Sequence, residues 1–403
     1  MISIEEATRL VQDHLPSRRV KRVSLAEALG MVLAEAVTAP EPSPRFTNSA
    51  MDGYAVRWED VEKASSGQPV RLRVVGESRA GAPFQGKLGA GEAVQISTGA
   101  LLPTGADTVI PMEDTDGETA EILVRMAAGP GKNVRIAGED IAPGEQVLTA
   151  GTTLRPNHIA ALAALGVSEV KAWARPQVAI LVTGNELVPV GEEPKPGQIR
   201  DANGIMLELL CRWLGAEVIL REVLPDDPDR ISQAVEEATG RADVIVMTGG
   251  VSVGSHDHVK AGAERAGFHP VFWRVWQKPG KPLFFASAKD RVLFGLPGNP
   301  VSAFVCAVRY LAPSLRWLSG REFGWDTVKA RLARPVENRS ERPTFFQAKT
   351  HCASDGGTEL SPCPKQGSHM LSSLLQANSI FLVPAATEWP EGKEVEAILY
   401  PWG

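Results

Sequence analysis

Three short segments of the 403-residue sequence combine glycine with groups that bind phosphate-like anions. Residues 248–254 (TGGVSVG) contain three glycines, so their backbone can approach a ligand closely and turn its amides toward an oxyanion. Residues 278–281 (KPGK) add two cations, and residues 295–300 (GLPGNP) form a further glycine turn. Taken singly, the first segment is equally well a tight strand-to-helix turn, and the second an exposed turn. Their succession along one chain favours an anion pocket.

Four carboxylates near these segments are candidates for binding a hard cation or for stabilising a helix. Asp227 precedes a proline, which favours an N-cap with the proline at the first helical position. Asp226 has no such structural role. Asp257 stands between two histidines, but side chains two positions apart do not share a helix face, so we favour Asp257 alone as a cation ligand. Glu186 is open to either interpretation, since a carboxylate at a helix start also complements the helix dipole.

The elements that must position these groups alternate between strand and helix after residue 176. Strands are predicted over residues 178–182, 218–223, 244–247, 270–275 and 292–294, and helices over 205–214, 229–239 and 300–318. Alternation of this kind indicates a doubly wound, mostly parallel sheet. Ligands of such sheets bind beyond the carboxyl ends of the strands, where helix N-termini present free amides. This rule brings the glycine segment, the lysines and the carboxylates to one edge.

The rest of the chain is predicted to form smaller regions. Two short helices should open the sequence, because Ser3 and Ser24 each begin a capping-box pattern. Short alternating runs over residues 68–150, and again beyond residue 320, predict β structure, with a helix over 157–165 between them. The predicted fold class is multidomain α/β plus β. The expected domains are 1–43 with 148–175 (helical), 44–147 (β-rich), 176–318 (α/β) and 319–403 (C-terminal β).

Composition and charge disfavour several classes of protein. The 42 Lys and Arg against 48 Asp and Glu give a formal charge of −6, which offers no electrostatic reason to bind nucleic acid or an anionic membrane. The first residues lack a signal-peptide pattern and no apolar run reaches the length of a membrane span, so we expect a cytoplasmic protein. Four cysteines without a CxxC pattern fit reduced thiols. Cys352 and Cys363, with histidines nearby, match no zinc spacing.

Two polar segments lie outside the predicted sheet. Residues 48–55 (NSAMDGYA) are mostly small or polar, and they form either a turn, in which Asp52 bonds to its own backbone, or part of a ligand site. Arg135 and residues 138–140 (GED) form either a surface hairpin or a second part of such a site. Spacing alone does not bring either segment to the sheet edge.

Taken together, the motifs resemble those of the MoeA family, the molybdopterin molybdenumtransferases related to the E domain of gephyrin. The resemblance runs in order over nearly the whole chain, and it rests on a succession of motifs rather than on one. They are residues 48–55, 98–99, 105–110, 138–140, 183–187, 248–254, 278–281, 295–300 and 366–369.

The resemblance implies insertion of molybdenum from molybdate into adenylylated molybdopterin, with Mg²⁺-dependent release of AMP. It also implies four domains and an elongated homodimer, whose active site lies between the sheet of one subunit and parts of the other. Transient contact with other molybdenum-cofactor biosynthesis proteins, or with apo-molybdoenzymes, would follow from that activity.

By position in the family motifs, the site residues fall into two groups. The implied catalytic residues are Asp257, Asp226, Glu186, Asp52 and Asp140, with Asp226 and Asp257 also the metal ligands. The implied ligand-binding residues are Thr98, Arg135, Thr248, Gly249, Gly250, Ser252, Gly254, Lys278, Lys281, Pro297, Asn299, Pro300, Ser302, Arg342 and Ser368. Within the second group, the residues that resemble the molybdate-holding set of the family, which we call the molybdate set, are Lys278, Lys281, Ser302, Arg342 and Ser368.

The chemistry of these residues agrees with the implied reaction. Molybdate is a dianion, so lysines, an arginine and hydroxyls can concentrate it, while carboxylates can hold Mg²⁺ against phosphate oxygens. Three positions depart from the family pattern: Ala202 stands where a Ser is usual, Arg274 where a Lys is common, and Gln347 near the place of a second Arg. The last two positions leave two properties of the pocket open, namely its charge and its preference for molybdate or tungstate.

Two other functions are alternatives to molybdenum insertion: adenylylation of molybdopterin and a scaffold role. The sheet domain also resembles the separate molybdopterin adenylyltransferases, which share its Thr-Gly-Gly loop and use ATP. A scaffold role, as in the E domain of gephyrin, is disfavoured because a scaffold has no need of Asp226, Asp257, Lys278 and Lys281 together.

Overall fold

The structure is a computed structural model that describes residues 1–127, 129–249, 256–354 and 356–402, with only the backbone of residues 256–258. Within these ranges no helix is long and apolar enough to cross a membrane. The helices are α1 (Ile4–Asp13), α2 (Trp58–Val61), α3 (Pro156–Ala164), α4 (Asn203–Trp213), α5 (Pro228–Thr239), α6 (His256–Arg265), α7 (Pro300–Cys306), α8 (Ala312–Leu318) and α9 (Leu371–Gln376). A 3₁₀ turn spans Met112–Asp114, and a π-helical segment spans Ala307–Leu311.

The strands are short and are numbered in chain order. They are β1 (Val20–Ser24), β2 (Val37–Thr38), β3 (Asn48–Ser49), β4 (Gly53–Val56), β5 (Val70–Ser78), β6 (Glu92–Ile96), β7 (Thr108–Pro111), β8 (Glu121–Val124), β9 (Val134–Arg135), β10 (Gln146–Leu148), β11 (Glu169–Trp173), β12 (Gln177–Thr183), β13 (Leu187–Val188), β14 (Ile199–Arg200), β15 (Glu217–Leu224), β16 (Val244–Thr248), β17 (His269–Trp273), β18 (Phe284–Ala288), β19 (Arg291–Leu296), β20 (Thr327–Leu332), β21 (Val336–Asn338), β22 (Thr344–Cys352), β23 (Thr358–Pro362), β24 (Ser379–Val383), β25 (Thr387–Trp389) and β26 (Glu394–Leu399).

A six-stranded sheet in the order β15-β12-β16-β19-β18-β17 carries the predicted ligand edge. β15, β12, β16 and β19 are parallel, and β18 is antiparallel to both of its neighbours. The doubly wound, mostly parallel fold predicted from the sequence is confirmed, although β18 was not among the predicted strands. Both faces are covered: Val244 and Val246 of β16 pack into one apolar core, while Ile245 and Met247 pack into the other. Because alternate residues point to opposite faces, the whole strand is apolar.

Residues 300–318 form one long helix, as predicted, but its middle is π-helical. α7 and α8 flank the π segment on either side. Pro313 has no amide hydrogen, and its ring crowds the carbonyl four residues earlier. That carbonyl belongs to Arg309, inside the wider π turn. The π turn therefore lets the helix continue past the proline.

Of the two predicted opening helices, the first is confirmed and the second is wrong. α1 begins after Ser3, whose hydroxyl accepts a hydrogen bond from the Glu6 amide at 3.1 Å. The box between Ser24 and Glu27 also forms, with the Glu27 amide 3.4 Å from the Ser24 hydroxyl, but it closes only one turn. The residues before it pair as β1 with β11, and Gly30 beyond it adopts a φ of +77°, which ends the turn.

Two β regions flank the central sheet, as the sequence predicts. β7-β4-β6-β5-β8 form a five-stranded sheet, and β20-β23-β22-β24-β26 close into a barrel. The barrel touches the segment that follows β17 through a bridge between Lys278 and Thr344, at the start of β22. The barrel thus meets the central sheet at the edge where ligands are expected.

Candidate active site

The two lysines predicted to bind an anion lie on a loop that is fixed to the barrel. The amide of Lys278 donates to the carbonyl of Pro343 at 2.9 Å, and the carbonyl of Lys278 accepts from the amide of Phe345 at 2.7 Å. Gly280 adopts a φ of +88°, and any side chain there would overlap Cys306 of α7. The barrel and α7 together therefore set the course of the loop.

A cavity of about 650 Å³ opens between this loop, α7 and the barrel, and we call it the anion cavity. Every member of the molybdate set lines it, although the set comes from the loop, from α7 and from two segments of the barrel region. Lys365, which the sequence did not single out, lines it as well. The described lining thus holds four cations and no carboxylate, an arrangement that concentrates a small anion.

A second cavity, of about 380 Å³, lies at the carboxyl edge of the sheet, and we call it the sheet-edge cavity. Several of the predicted residues line it: Glu186, Gly249, Pro297, Asn299 and Pro300. Pro282 lines both cavities, and between them the Asn299 side-chain amide lies 3.5 Å from the Ser368 hydroxyl. The two cavities therefore adjoin, and one ligand can reach from the sheet edge to the anion cavity.

Thr248, predicted to bind ligand, is completely buried and does not line the cavity. Its hydroxyl donates to the carbonyl of Pro297 at 3.1 Å and accepts from the side chain of Asn203 at 3.1 Å. The same Asn203 amide donates to the carbonyl of Gly298 at 2.7 Å. Thr248 and Asn203 thus hold the 297–300 turn in place.

Sequence reasoning missed part of the sheet-edge cavity, namely Arg200 at the end of β14, and Asp201 and Asn203 at the start of α4. Two side-chain atoms of residues in this lining, Oδ1 of Asn203 and the Thr183 hydroxyl, are buried with no hydrogen-bond partner among the described residues. Buried polar atoms are rarely left unpaired. These two unpaired atoms therefore mark this part of the lining as a candidate contact for the polar edge of a ligand.

Of the two adjacent aspartates after β15, Asp226 is predicted to bind a metal and Asp227 to cap a helix. Asp226 follows β15, where its carboxylate accepts from the Asn185 amide at 3.2 Å and its own amide donates to the Asn185 side chain at 3.2 Å. Asp227 caps α5, as predicted, and accepts from the amides of Asp229 and Arg230, each at 2.9 Å. The two adjacent aspartates thus separate into a strand-end group and a helix cap.

Asp257 lies in the first turn of α6, but its side chain is outside the described residues, as are Gly250, Ser252 and Gly254. In the part of the chain that is described, no group of three or more His, Cys, Asp or Glu is placed to hold a metal ion. Mg²⁺ is commonly bound through one or two carboxylates together with substrate phosphates and water. An exposed Asp226, with Glu186 in the adjoining cavity lining, fits that pattern.

The residues predicted from the β-rich region line neither cavity of their own chain. Asp52 accepts hydrogen bonds from the amide of Thr98 at 2.7 Å and from its hydroxyl at 3.0 Å. These two bonds, the amide first, hold the pKa of Asp52 below its ordinary value. Asp140 accepts from the Ser43 hydroxyl at 3.3 Å, and Arg135 is exposed on β9. The structure does not bring this group to the sheet edge of the same chain.

Profiles of known protein families match the chain over three consecutive stretches. They are the MoeA N-terminal region (domain I and II) over residues 2–166, a probable molybdopterin binding domain over 179–317, and the MoeA C-terminal region (domain IV) over 329–400. The molybdopterin molybdenumtransferase of Haemophilus influenzae is 36% identical over 388 residues, which cover 95% of this chain and 94% of that protein. The chain belongs to the MoeA family. The enzyme of the same name from Nostoc sp. is 35% identical over 414 residues, covering 100% of this chain and 94% of the relative.

Solved structures of the family have the same overall fold. A molybdopterin biosynthesis MoeA protein from Pyrococcus horikoshii superposes with a TM-score of 0.83 at 36% identity, covering 99% of both chains. A second structure from this organism gives 0.74 at 33% identity, covering 99% of this chain and 100% of that one. The curated relatives are named as transferases, and this chain is an enzyme of that class.

The three residues that depart from the family pattern all lie outside the described lining of the anion cavity. The Arg274 guanidinium lies 4.1 Å from the centre of the Trp273 ring and lines neither cavity. Gln347 is buried on β22, also outside both linings, and within the described residues its side-chain amide has no hydrogen-bond partner. Ala202 does line the sheet-edge cavity. The charge of the anion cavity is therefore set by residues other than these.

Proposed function

We propose that the protein inserts molybdenum from molybdate into adenylylated molybdopterin and releases AMP in an Mg²⁺-dependent reaction. The observation that carries this proposal is the anion cavity, with four cations and no carboxylate in its described lining, directly beside the sheet-edge cavity. Molybdate is a tetrahedral dianion, so it requires cations and hydrogen-bond donors around it. The molybdate set supplies two lysines, an arginine and two hydroxyls.

The adenylylated pterin is proposed to occupy the sheet-edge cavity, with its phosphates toward the 248–254 segment. Gly249 has a φ of +85°, and a side chain there would overlap the carbonyl of Thr183, so only glycine is accommodated at this approach to the ligand. The unpaired oxygens of Thr183 and Asn203 can bond to polar groups of the pterin. The pterin's sulfur-bearing end would then lie toward the anion cavity.

Asp226 and Asp257 are the proposed Mg²⁺ ligands, with Glu186 in the same cleft. When bound, Mg²⁺ would neutralise the charge that develops on the phosphate oxygens as the phosphoanhydride bond to AMP breaks. The chain's own residues bind and orient the two substrates and screen their charge. We assign no general base, since an oxygen of water or of molybdate can attack the phosphorus.

A second copy of the chain is proposed to complete the site. Asp52, Thr98, Arg135 and Asp140 are expected to act across a homodimer, because none of them belongs to the described lining of the anion cavity or of the sheet-edge cavity in its own chain. The proposal keeps the four-domain division expected from the sequence, a cytoplasmic location, and transient transfer of the product to apo-molybdoenzymes.

The proposed reaction is tested by chromatographic assay of nucleotides with purified adenylylated pterin, Mg²⁺ and molybdate. We expect AMP to be released without ATP consumption, and Lys281→Ala to need far more molybdate for the same rate. Lys289→Ala, an exposed lysine in the turn between β18 and β19, is the matched control and should behave like the unmodified protein. ATP consumption coupled to adenylylation of free pterin would instead identify an adenylyltransferase. No turnover of either kind would leave a binding or scaffold role.

A further inference from the structure

Directly behind the lysine loop lies a buried glutamine. Gln277 is 0% exposed and immediately precedes Lys278. Its side-chain amide nitrogen donates to the carbonyl of Pro279 at 3.1 Å and approaches the carbonyl of Gly280 at 3.5 Å. One side chain therefore holds the two main-chain carbonyls that lie between the two lysines.

The other end of the Gln277 amide is fixed by a tyrosine of the long helix. The Tyr310 hydroxyl donates to the Gln277 side-chain oxygen at 2.6 Å, and Tyr310 is itself 0% exposed. Tyr310 belongs to the π-helical segment, so the widened turn contributes the residue that meets Gln277. Burial raises the pKa of Tyr310, which keeps its hydroxyl a neutral donor at any working pH.

Gln277 also connects the loop to the opposite wall of the anion cavity. Its main-chain carbonyl accepts a hydrogen bond from Nη1 of Arg342 at 2.8 Å. Gln277 thus contacts the neighbourhood of all three cations that line the cavity from two sides. Lys278 follows it in the chain, the carbonyl before Lys281 lies 3.5 Å from its side-chain amide, and Arg342 donates to its main-chain carbonyl. A shift of Gln277 would change the spacing of these three cations.

The fold alone does not require this polar pair. Gln277 and Tyr310 lie within apolar surroundings: Tyr310 belongs to the largest apolar core, and Cys306 of that core lies 3.6 Å from the Gln277 amide. Replacing both partners of a buried hydrogen bond by apolar groups of similar shape is nearly neutral for stability, whereas removing one partner is costly. A satisfied buried pair does, however, fix one geometry of the groups attached to it.

We propose that Gln277 and Tyr310 act as a positioning pair that holds the Lys278–Lys281 loop and Arg342 at the spacing required to bind a tetrahedral oxyanion. This inference rests on the proposed function, because it concerns how the same cavity binds molybdate. Neither residue lines the cavity, so both act through the cations they place.

The test measures molybdate binding by equilibrium dialysis with radiolabelled molybdate, together with the KM for molybdate and kcat of insertion. Tyr310→Phe removes one hydroxyl and should raise the molybdate Kd and KM about 3- to 10-fold, the effect of one buried hydrogen bond, with kcat little changed. Tyr400→Phe is the matched control. Tyr400 is 2% exposed, and its hydroxyl has no hydrogen-bond partner within the described residues, so this variant should bind molybdate normally.

A double variant separates positioning from stability. Gln277→Met alone leaves the Tyr310 hydroxyl buried and unpaired, so it should lower both the melting temperature and the molybdate affinity. Adding Tyr310→Phe removes the unpaired group and should restore most of the melting temperature. The molybdate Kd of the double variant should nevertheless stay as high as that of Gln277→Met, because the carbonyls of Pro279 and Gly280 have lost the Gln277 side-chain amide.

The outcomes distinguish the two proposals. Recovery of normal molybdate affinity together with melting temperature in the double variant would reduce the pair to a structural role and overturn this inference. Equal affinity in Tyr310→Phe and Tyr400→Phe would overturn it as well. In both cases, insertion by the unmodified protein would leave the proposed function standing. If the unmodified protein neither binds nor inserts molybdenum, the proposed function fails and this inference fails with it.

Discussion

Arg342 is one of the two cations, with Lys365, that the barrel region contributes to the anion cavity. Its Nη1 donates to the carbonyl of Gln277 at 2.8 Å, which fixes the orientation of the guanidinium group. An arginine presents a planar fork that can bind an oxyanion at two points, which a lysine on a flexible stem does not. Arg342 therefore supplies direction as well as charge, opposite the two lysines of the loop.

Arg342→Ala should raise the molybdate concentration needed for half-maximal insertion by a factor on the order of 10 to 1000. Losing one donor aimed at developing charge costs about 10²- to 10³-fold in rate, and ground-state binding of the anion is lost as well. Binding of adenylylated pterin in the absence of molybdate should change little, because its phosphates are expected at the sheet edge. Arg339→Ala is the control, since Arg339 is exposed on the same region and pairs with Glu337. Weaker pterin binding with unchanged molybdate dependence would assign the barrel to pterin recognition instead.

The residues of the site were predictable where a motif isolates them. Glycines and lysines in short turns stand out, because their types have a physical reason to contact an anion. Asn203 and Lys365 were not predictable in this way. An asparagine at a helix start is already explained as a cap, and a lysine in a loop as a solvated charge. Only the fold brings Lys365 to the same cavity as Lys281.

At the scale of elements, the alternation of strand and helix predicted the central sheet, because its inner parallel strands β12, β16 and β19 are short, largely apolar runs separated by helices. Local hydrogen-bonding patterns predicted secondary structure less well. The capping pattern at Ser24 forms the hydrogen bonds of a helix start, yet the chain before it pairs with β11. β18 was missed because an antiparallel strand breaks the alternation of strand and helix. Long-range pairing decided both cases.

Asp227 at the start of α5 provides a prediction for an element. Asp227→Ala removes the acceptor of two amide hydrogen bonds and should lower the free energy of unfolding by about 1 kcal/mol, as for other N-cap losses. Asp227→Asn can still accept these bonds and should retain most of that stability. Urea unfolding followed by circular dichroism measures both. Molybdenum insertion at saturating substrate should persist in both variants. Loss of insertion in Asp227→Ala would instead place Asp227 in the site.

At the scale of the whole molecule, the described linings of the two cavities come from residues 182–203, 249, 278–302 and 342–370. The β-rich region contributes nothing to them, although its Asp52 and Asp140 belong to the implied catalytic set. The sequence contains no signal that fixes the place of these residues, because contacts between copies of a chain depend on shape. The shared site that we propose for a homodimer would account for this separation.

Complementation tests the shared site. At low molybdate concentration, Asp52→Ala and Lys281→Ala are each expected to show almost no activity as homodimers. When the two variants are co-expressed in equal amounts, half of the dimers should contain one chain of each variant. Each mixed dimer has one intact site of two, so about a quarter of the normal activity should be restored. Differently tagged copies, purified through both tags, verify that mixed dimers form. Mixed dimers without activity would show that each chain builds its own site.

The most direct test of the proposed function is reconstitution of an apo-molybdoenzyme from purified adenylylated pterin, Mg²⁺ and molybdate, with and without this protein. Activity of the reconstituted enzyme should appear at low molybdate concentration only when the protein is present. It should fall in the double variant Lys278→Ala/Lys281→Ala and return only at much higher molybdate concentration. Reconstitution that proceeds equally without the protein, or equally with the double variant at low molybdate, would contradict insertion of molybdenum at the anion cavity.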